Sequence, residues 1–309
     1  MGVWTFLSTL GQIGFFSNQI SHALLVKETS MRFGVHCRLW TTGWNSTHLD
    51  LIDRARTLGF SVFEISLLNL ATVEPAAIRR RAEAAGIDLI GTMGLPKEKG
   101  LATSDRAVRD QTVTFLKAAV AATREMGARL FGGMMYAVPG RFSGRGPTDD
   151  EIRWIADGLS EVAAFAQGHE VTLALEPVNR FETYLLNTAA QAQAVVDLID
   201  QPNVGLLLDT FHMNIEDRGI AATIRRHAKS LKHLHLNESD RGMLGGGNID
   251  WQGLFAALKE IGYGGVGSLE TFGSSSPELP AITSIWRELF PSPDELAREG
   301  LAFLTRLKG

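Results

Sequence analysis

Residues 171–176, VTLALE, and residues 204–209, VGLLLD, decide the fold. Each is a short apolar run closed by a carboxylate, and helix-like sequence separates them. Near-continuous apolar runs of this length are those of strands buried on both faces, as in a parallel sheet covered by helices. Outward from this pair the pattern repeats. Downstream lie LKHLHL at 231–236 and GVGSLE at 265–270; upstream lie RFGVHCR at 32–38, SVFEIS at 61–66, IDLIGTM at 87–93 and ARLFGGMM at 128–135. Eight strand signals with helices between them and no linker predict an α/β protein, a single-domain (β/α)8 TIM barrel over residues 31–309. The alternative, an open doubly wound sheet, lacks its G-x-G-x-x-G after the first strand.

The helices are expected near 47–58, 74–85, 104–126, 148–167, 188–200, 218–229, 250–261 and 280–307. Thr47 with Asp50 and Thr188 with Gln191 have capping-box spacing. Residues 1–30 are apolar but broken by Gly11, Gln12 and Gly14, and they lack a basic n-region. They read as an extension outside the barrel rather than a membrane span or signal peptide, with an ordered arm as the competing reading. A net charge of −4 without a basic stripe argues against nucleic acid as a partner. The single cysteine, Cys37, excludes an internal disulfide and a thiolate cluster, and is compatible with a cytoplasmic protein.

Glu176, Asp209, His235 and Glu270 each close one of the last four runs, at separations of 33, 26 and 35 positions. Such residues meet only if their strands lie side by side and parallel, and a barrel brings strand C-terminal ends to one mouth. Taken singly, an acid at a strand end is as often a helix cap or a surface ion pair. Together, three carboxylates and one imidazole form an oxygen-rich set that suits Mn²⁺, Mg²⁺ or Co²⁺ better than a thiol-bound zinc. His233 shares a strand face with His235 and reads as a hydrogen-bonded interior histidine. His48, His169 and His227 read as solvent-facing. GMLGGGN at 242–248 is no P-loop, since no Lys-Ser/Thr follows, and reads as a flexible pocket wall. Trp40 and Trp44 suit either the core or stacking on a sugar.

LEPVNRFETYLLNT (175–188), LDTFHMNIED (208–217), HLNESDRGMLGGGNIDW (235–251) and LETF (269–272) closely resemble the ketose 3-epimerases, the group of D-tagatose, D-allulose (D-psicose) and L-ribulose 3-epimerases. The resemblance runs from about Met31 to the C-terminus. It implies one divalent metal per subunit, Mn²⁺ first with Co²⁺ or Mg²⁺ as alternatives, held by Glu176, Asp209, His235 and Glu270. It also implies Glu176 and Glu270 as the acid–base pair, with Glu182, His212 and Arg241 on the ketose end of the substrate. His36, Trp44 and Phe272 would line the pocket. The expected partner is a small-molecule ketose, and the expected assembly a homodimer or homotetramer. Pro177 where valine is common, Asn237 where glycine is common and His36 where some members carry an aromatic residue depart from the pattern without removing a ligand.

Inverting C3 of a ketose suits these groups. The C3 proton beside the C2 carbonyl is weakly acidic, a cation at O2 and O3 would favour its loss, and a flat enediolate needs one acid on each face. Aldose–ketose isomerisation on the same scaffold and a silent sugar-binding protein are the competing readings.

Overall fold

The computed structural model describes residues 31–273 and 283–309. The expected N-terminal extension and residues 280–282 of the last expected helix lie outside them. Eight parallel strands close into one barrel in sequence order: β1 Arg32–His36, β2 Val62–Ser66, β3 Asp88–Thr92, β4 Leu130–Gly133, β5 Thr172–Leu175, β6 Val204–Asp209, β7 Leu231–His235 and β8 Val266–Leu269. The last pairs with the first, Val35 opposite Leu269, so no sheet edge is left open.

The outer helices are α1 Asp50–Thr57, α2 Pro75–Ala85, α3 Arg106–Glu125, α4 Asp149–Gly168, α5 Ala189–Ile199, α6 Thr210–Glu216, α7 Ile220–Arg226, α8 Trp251–Glu260 and α9 Pro293–Lys308. Most of their starts, though not those of α1, α2 and α7, follow from side chains that satisfy otherwise orphaned N–H groups. Thr188 and Gln191 form the expected reciprocal box on α5, and Thr148 with Glu151 forms another on α4. A large layer of Leu, Ile, Val, Phe and Ala from strands and helices makes the main core, and Val62, Ile90 and Val266 form a small separate cluster. Among the described residues no helix is long and apolar enough to cross a membrane.

Three local expectations are corrected. The cap before α1 is Asn45, not Thr47: the Asn45 Oδ1 accepts the Thr47 N–H at 2.9 Å, the His48 ring accepts the Asn45 N–H, and α1 then starts at Asp50 without a side-chain cap. The helix expected at 218–229 is the shorter α7, and a second short helix that was not expected, α6, precedes it. Asp209, the last residue of β6, caps α6 by accepting the Phe211 N–H at 2.8 Å, and Gly219 in a left-handed conformation separates the two. The last helix begins at Pro293 behind a Ser292 cap, the first turn being where proline loses nothing.

Candidate metal centre and active-site cavity

At the C-terminal mouth, Glu176, Asp209, His235 and Glu270 each place one donor atom within 4.8 Å of all the others. His235 Nδ1 lies 3.4 Å from Glu176 Oε1 and 3.4 Å from Glu270 Oε2. Asp209 commits its Oδ1 to the Phe211 N–H at 2.8 Å and to the Asn237 amide at 2.9 Å. Its Oδ2, like His235 Nδ1, is buried without a hydrogen-bond partner among the described residues. Buried polar atoms are rarely left unpaired, and here two of them face one point.

Electrostatics agree. Burial, helped by repulsion from Glu270 and Asp209 and opposed by His235, pushes the Glu176 carboxyl up to about 7. Burial pushes Asp209 up to about 6 against the pull of Arg241. Glu270 is held well below the usual carboxylate range, since His235 outweighs its burial. Burial would lower His235, yet Glu270 and Glu64 raise it well above the usual imidazole range. Crowded acids that hold protons reluctantly released to solvent are acids that a divalent cation would relieve, so the donor set fits the implied metal.

Beside this cluster stands Arg241, its guanidinium 3.7 Å from Asp209 Oδ2 and 4.0 Å from Glu182 Oε1, between the rings of Phe211 (4.1 Å) and Phe272 (4.7 Å). Its backbone is left-handed (φ +62°), and its N–H donates to Glu238 O while Thr271 donates to its carbonyl. Non-glycine residues hold that conformation when their surroundings impose it. His212 Nδ1 receives the Asn179 N–H at 3.1 Å, and its Nε2 lies 3.6 Å from Asp209 Oδ2 and 4.0 Å from Glu176 Oε1. Burial, and then Arg241, lowers His212 well below the usual imidazole range, so it stays a neutral donor or acceptor.

The cavity above the cluster, about 80 Å³, is lined by Glu182, His212, Arg241, His36 and Phe272 together with the glutamates. His36 differs from expectation in what it offers. Its Nδ1 accepts the Arg38 N–H at 3.0 Å and its Nε2 pairs with Thr92 Oγ1 at 2.7 Å, so it presents a ring rather than a free nitrogen. Burial lowers its pKa to about 4. Trp44 is buried in the hydrophobic core against Phe63, and is not among the residues that line the cavity. The 242–248 loop is likewise outside that lining. It wraps the buried Glu238 carboxylate, which accepts from Ser239, Gly245 and Ile249 N–H groups and from Trp251 Nε1. His227 is buried, against the solvent-facing expectation, while His48 and His169 are half-buried. His233 is interior and hydrogen-bonded, as expected.

Sequence reasoning missed Glu64, in the middle of β2. It is fully buried, its Oε2 is 3.0 Å from His235 Nε2, and its Oε1 takes His233 Nε2. The signal was present: a carboxylate inside VFEIS, a run otherwise reading as buried, has to find partners. Arg38 and Thr92 on the cavity wall were missed too. Arg38 makes no ion pair among the described residues; its guanidinium lies 5.6 Å from the Phe272 ring centroid.

The family described as xylose isomerase-like TIM barrel matches residues 52–307. The chain is 37% identical over 276 residues to L-ribulose 3-epimerase of Mesorhizobium japonicum, covering 88% of this chain and 93% of that one. It is 32% identical over 285 residues to D-psicose 3-epimerase of Agrobacterium fabrum, covering 88% and 98%. A solved structure of L-ribulose 3-epimerase superposes with a TM-score of 0.84 at 36% identity, over 90% of this chain and 94% of that one. The chain belongs to the ketose 3-epimerases within the xylose isomerase-like TIM barrels, and is an isomerase-class enzyme, a carbohydrate epimerase.

Proposed function

We propose that this enzyme inverts C3 of a free ketose of the fructose/allulose, tagatose/sorbose or ribulose/xylulose type, with Glu176 and Glu270 as the two acid–base groups. The observation that carries the reading is the convergence of these carboxylates. They leave β5 and β8, with β6 and β7 between them around the mouth, yet both lie 3.4 Å from the same nitrogen, His235 Nδ1. Two carboxyl groups reaching one point from different sides suit removal of a proton from one face of a flat carbon and return to the other.

Glu176, Asp209, His235 Nδ1 and Glu270 would hold a divalent cation, Mn²⁺ first with Co²⁺ or Mg²⁺ as alternatives, whose Lewis acidity supports charge developing on the ketose oxygens. Glu182, His212 and Arg241 form one wall of the cavity and would hold the O1–O2 end. That placement sets C3, rather than C1, between the glutamates, and separates epimerisation from aldose–ketose isomerisation. The rings of Phe211 and Phe272 fix the Arg241 guanidinium, so its donors are oriented before the sugar arrives.

The test is incubation of chelator-stripped, Mn²⁺-reconstituted protein with a panel of ketoses and a ketose phosphate in D₂O, read by NMR. The expected product is the C3 epimer with deuterium at C3, dependent on metal. An aldose labelled elsewhere would overturn the reading in favour of an isomerase. Binding of ketoses without any exchange would leave a sugar-binding protein.

A further inference from the structure

We propose that Glu64, braced by His233, is a positioning residue that fixes which nitrogen of His235 faces the metal centre; the inference rests on the metal centre proposed above. A carboxylate only accepts hydrogen bonds, so both histidines bound to Glu64 must carry a proton on Nε2. Glu64 Oε2 lies 3.0 Å from His235 Nε2, and Oε1 takes His233 Nε2. All three side chains are shut off from solvent, so water offers no substitute partner. In the neutral ring that a metal ligand must be, the proton on Nε2 leaves the lone pair on Nδ1, the buried atom that faces Glu176 and Glu270 at 3.4 Å and has no hydrogen-bond partner among the described residues.

Without Glu64 the preference would reverse. An imidazole facing three carboxylates lowers its energy by turning an N–H towards them, and that tautomer cannot ligate a cation through the same nitrogen. Glu64 supplies the competing acceptor on the far edge of the ring. His233 completes the device: by holding the other oxygen, it keeps the carboxylate from rotating away, and its ring packs edge-on against that of His235 at 5.2 Å. Hydrogen-bond partners behind metal-bound histidines set ring orientation and tautomer in this way.

The test compares wild type with E64Q and E64D. Mn²⁺ affinity is measured by calorimetric titration of stripped protein, and ¹⁵N-histidine spectra of the Mg²⁺-loaded proteins show which nitrogen of His235 bears the proton. Gln offers one acceptor and one donor where Glu offers two acceptors; Asp keeps the charge but withdraws the acceptor. Wild type should bind one Mn²⁺ per chain with an Nε2–H His235. Both variants should bind it about 10–100-fold more weakly, with His235 losing its single Nε2–H signature while the circular dichroism spectrum stays that of wild type. Unchanged affinity and spectra in both variants would overturn the inference. So would full recovery in E64D with the same tautomer throughout, which would assign the effect to charge alone. A second Mn²⁺ per wild-type chain would make Glu64 a ligand, again overturning it. Wild type that binds no Mn²⁺ would sink the metal centre, and this inference with it.

Discussion

The two ends of the barrel differ in a way that separates space from chemistry. The N-terminal end holds the larger cavity, about 550 Å³, against about 80 Å³ at the C-terminal mouth. Its charges are nevertheless solvated: the Arg32–Asp88 pair is 48% and 67% exposed, the Arg129–Glu170 pair 63% and 62%. At the C-terminal mouth Asp209, His235 and Arg241 are buried, and among the described residues Asp209 Oδ2 and His235 Nδ1 have no hydrogen-bond partner. Charges in water cost the fold little; buried carboxylates are held against a desolvation penalty of several kcal/mol per ion, on the order that mutual attraction must offset. Buried, unbalanced charge therefore marks the working end, and void volume does not. His233 stands between the two, lining the lower cavity while its ring reaches up to Glu64.

If that contrast is right, the largest effects belong to the acids of the upper mouth. E270Q and E176Q should each lower kcat by about 10²–10⁴-fold, the usual range for losing a positioned acid–base group. Single-turnover deuterium incorporation at C3 checks this, and full activity in either variant would break the two-base reading. A backbone change comes next. Gly133, at the end of β4, has φ +115°, and a Cβ there would lie 2.2 Å from Met93 O. Gly133 O also accepts the Glu176 N–H at 3.2 Å. G133A should therefore cost about 2–4 kcal/mol of stability and disturb Glu176 as well, read as a lowered Tm together with a loss of kcat in protein that remains folded. A drop in Tm alone would show that the strand end bends without moving the glutamate.

Much of this contrast was legible in the sequence, for identifiable reasons. The strands showed because both faces of each are apolar, and Glu176, Asp209, His235 and Glu270 showed because each ends such a run. Asp209 concealed a second task, capping α6, so the helix that starts directly after it went unread. Glu64 stood out as a carboxylate inside an apolar run, but its partners were illegible because they lie 169 and 171 positions away; no local spacing links a carboxylate in β2 to histidines in β7. Trp44 was ambiguous for the opposite reason. An aromatic residue near a strand end suits a sugar or a core equally, and only its packing on Phe63 decides. His36 was placed at the cavity correctly, but both its nitrogens are engaged by Arg38 and Thr92, which depends on a fold that the residue type does not disclose.

Two ion pairs sharpen the comparison at its weaker end. Above the upper mouth, Glu151 takes Arg145 at 2.8 Å, the Thr148 N–H at 2.8 Å and Tyr184 OH at 2.7 Å, tying the loops after β4 and β5 together. Burial would raise its pKa, but Arg145, Thr148 and Tyr184 hold it at about 2. A carboxyl held below its unfolded value of about 4.3 adds stability above that pH, and the contribution is lost as pH falls towards about 2. Between those values wild type should lose stability faster than E151Q in denaturant titrations; parallel curves would show that the loop tie contributes nothing. Among the described residues Asp88 below pairs with Arg32 alone, and both side chains are in water. D88N should therefore change stability by about 0–1 kcal/mol, with the difference shrinking further in salt because exposed charges are screened. Its kcat and Mn²⁺ affinity should equal those of wild type, although Asp88 lines the larger cavity. A loss of turnover in D88N would mean that the lower cavity communicates with the glutamates, through His233 and Glu64, and the division between an inert and a working end would fall.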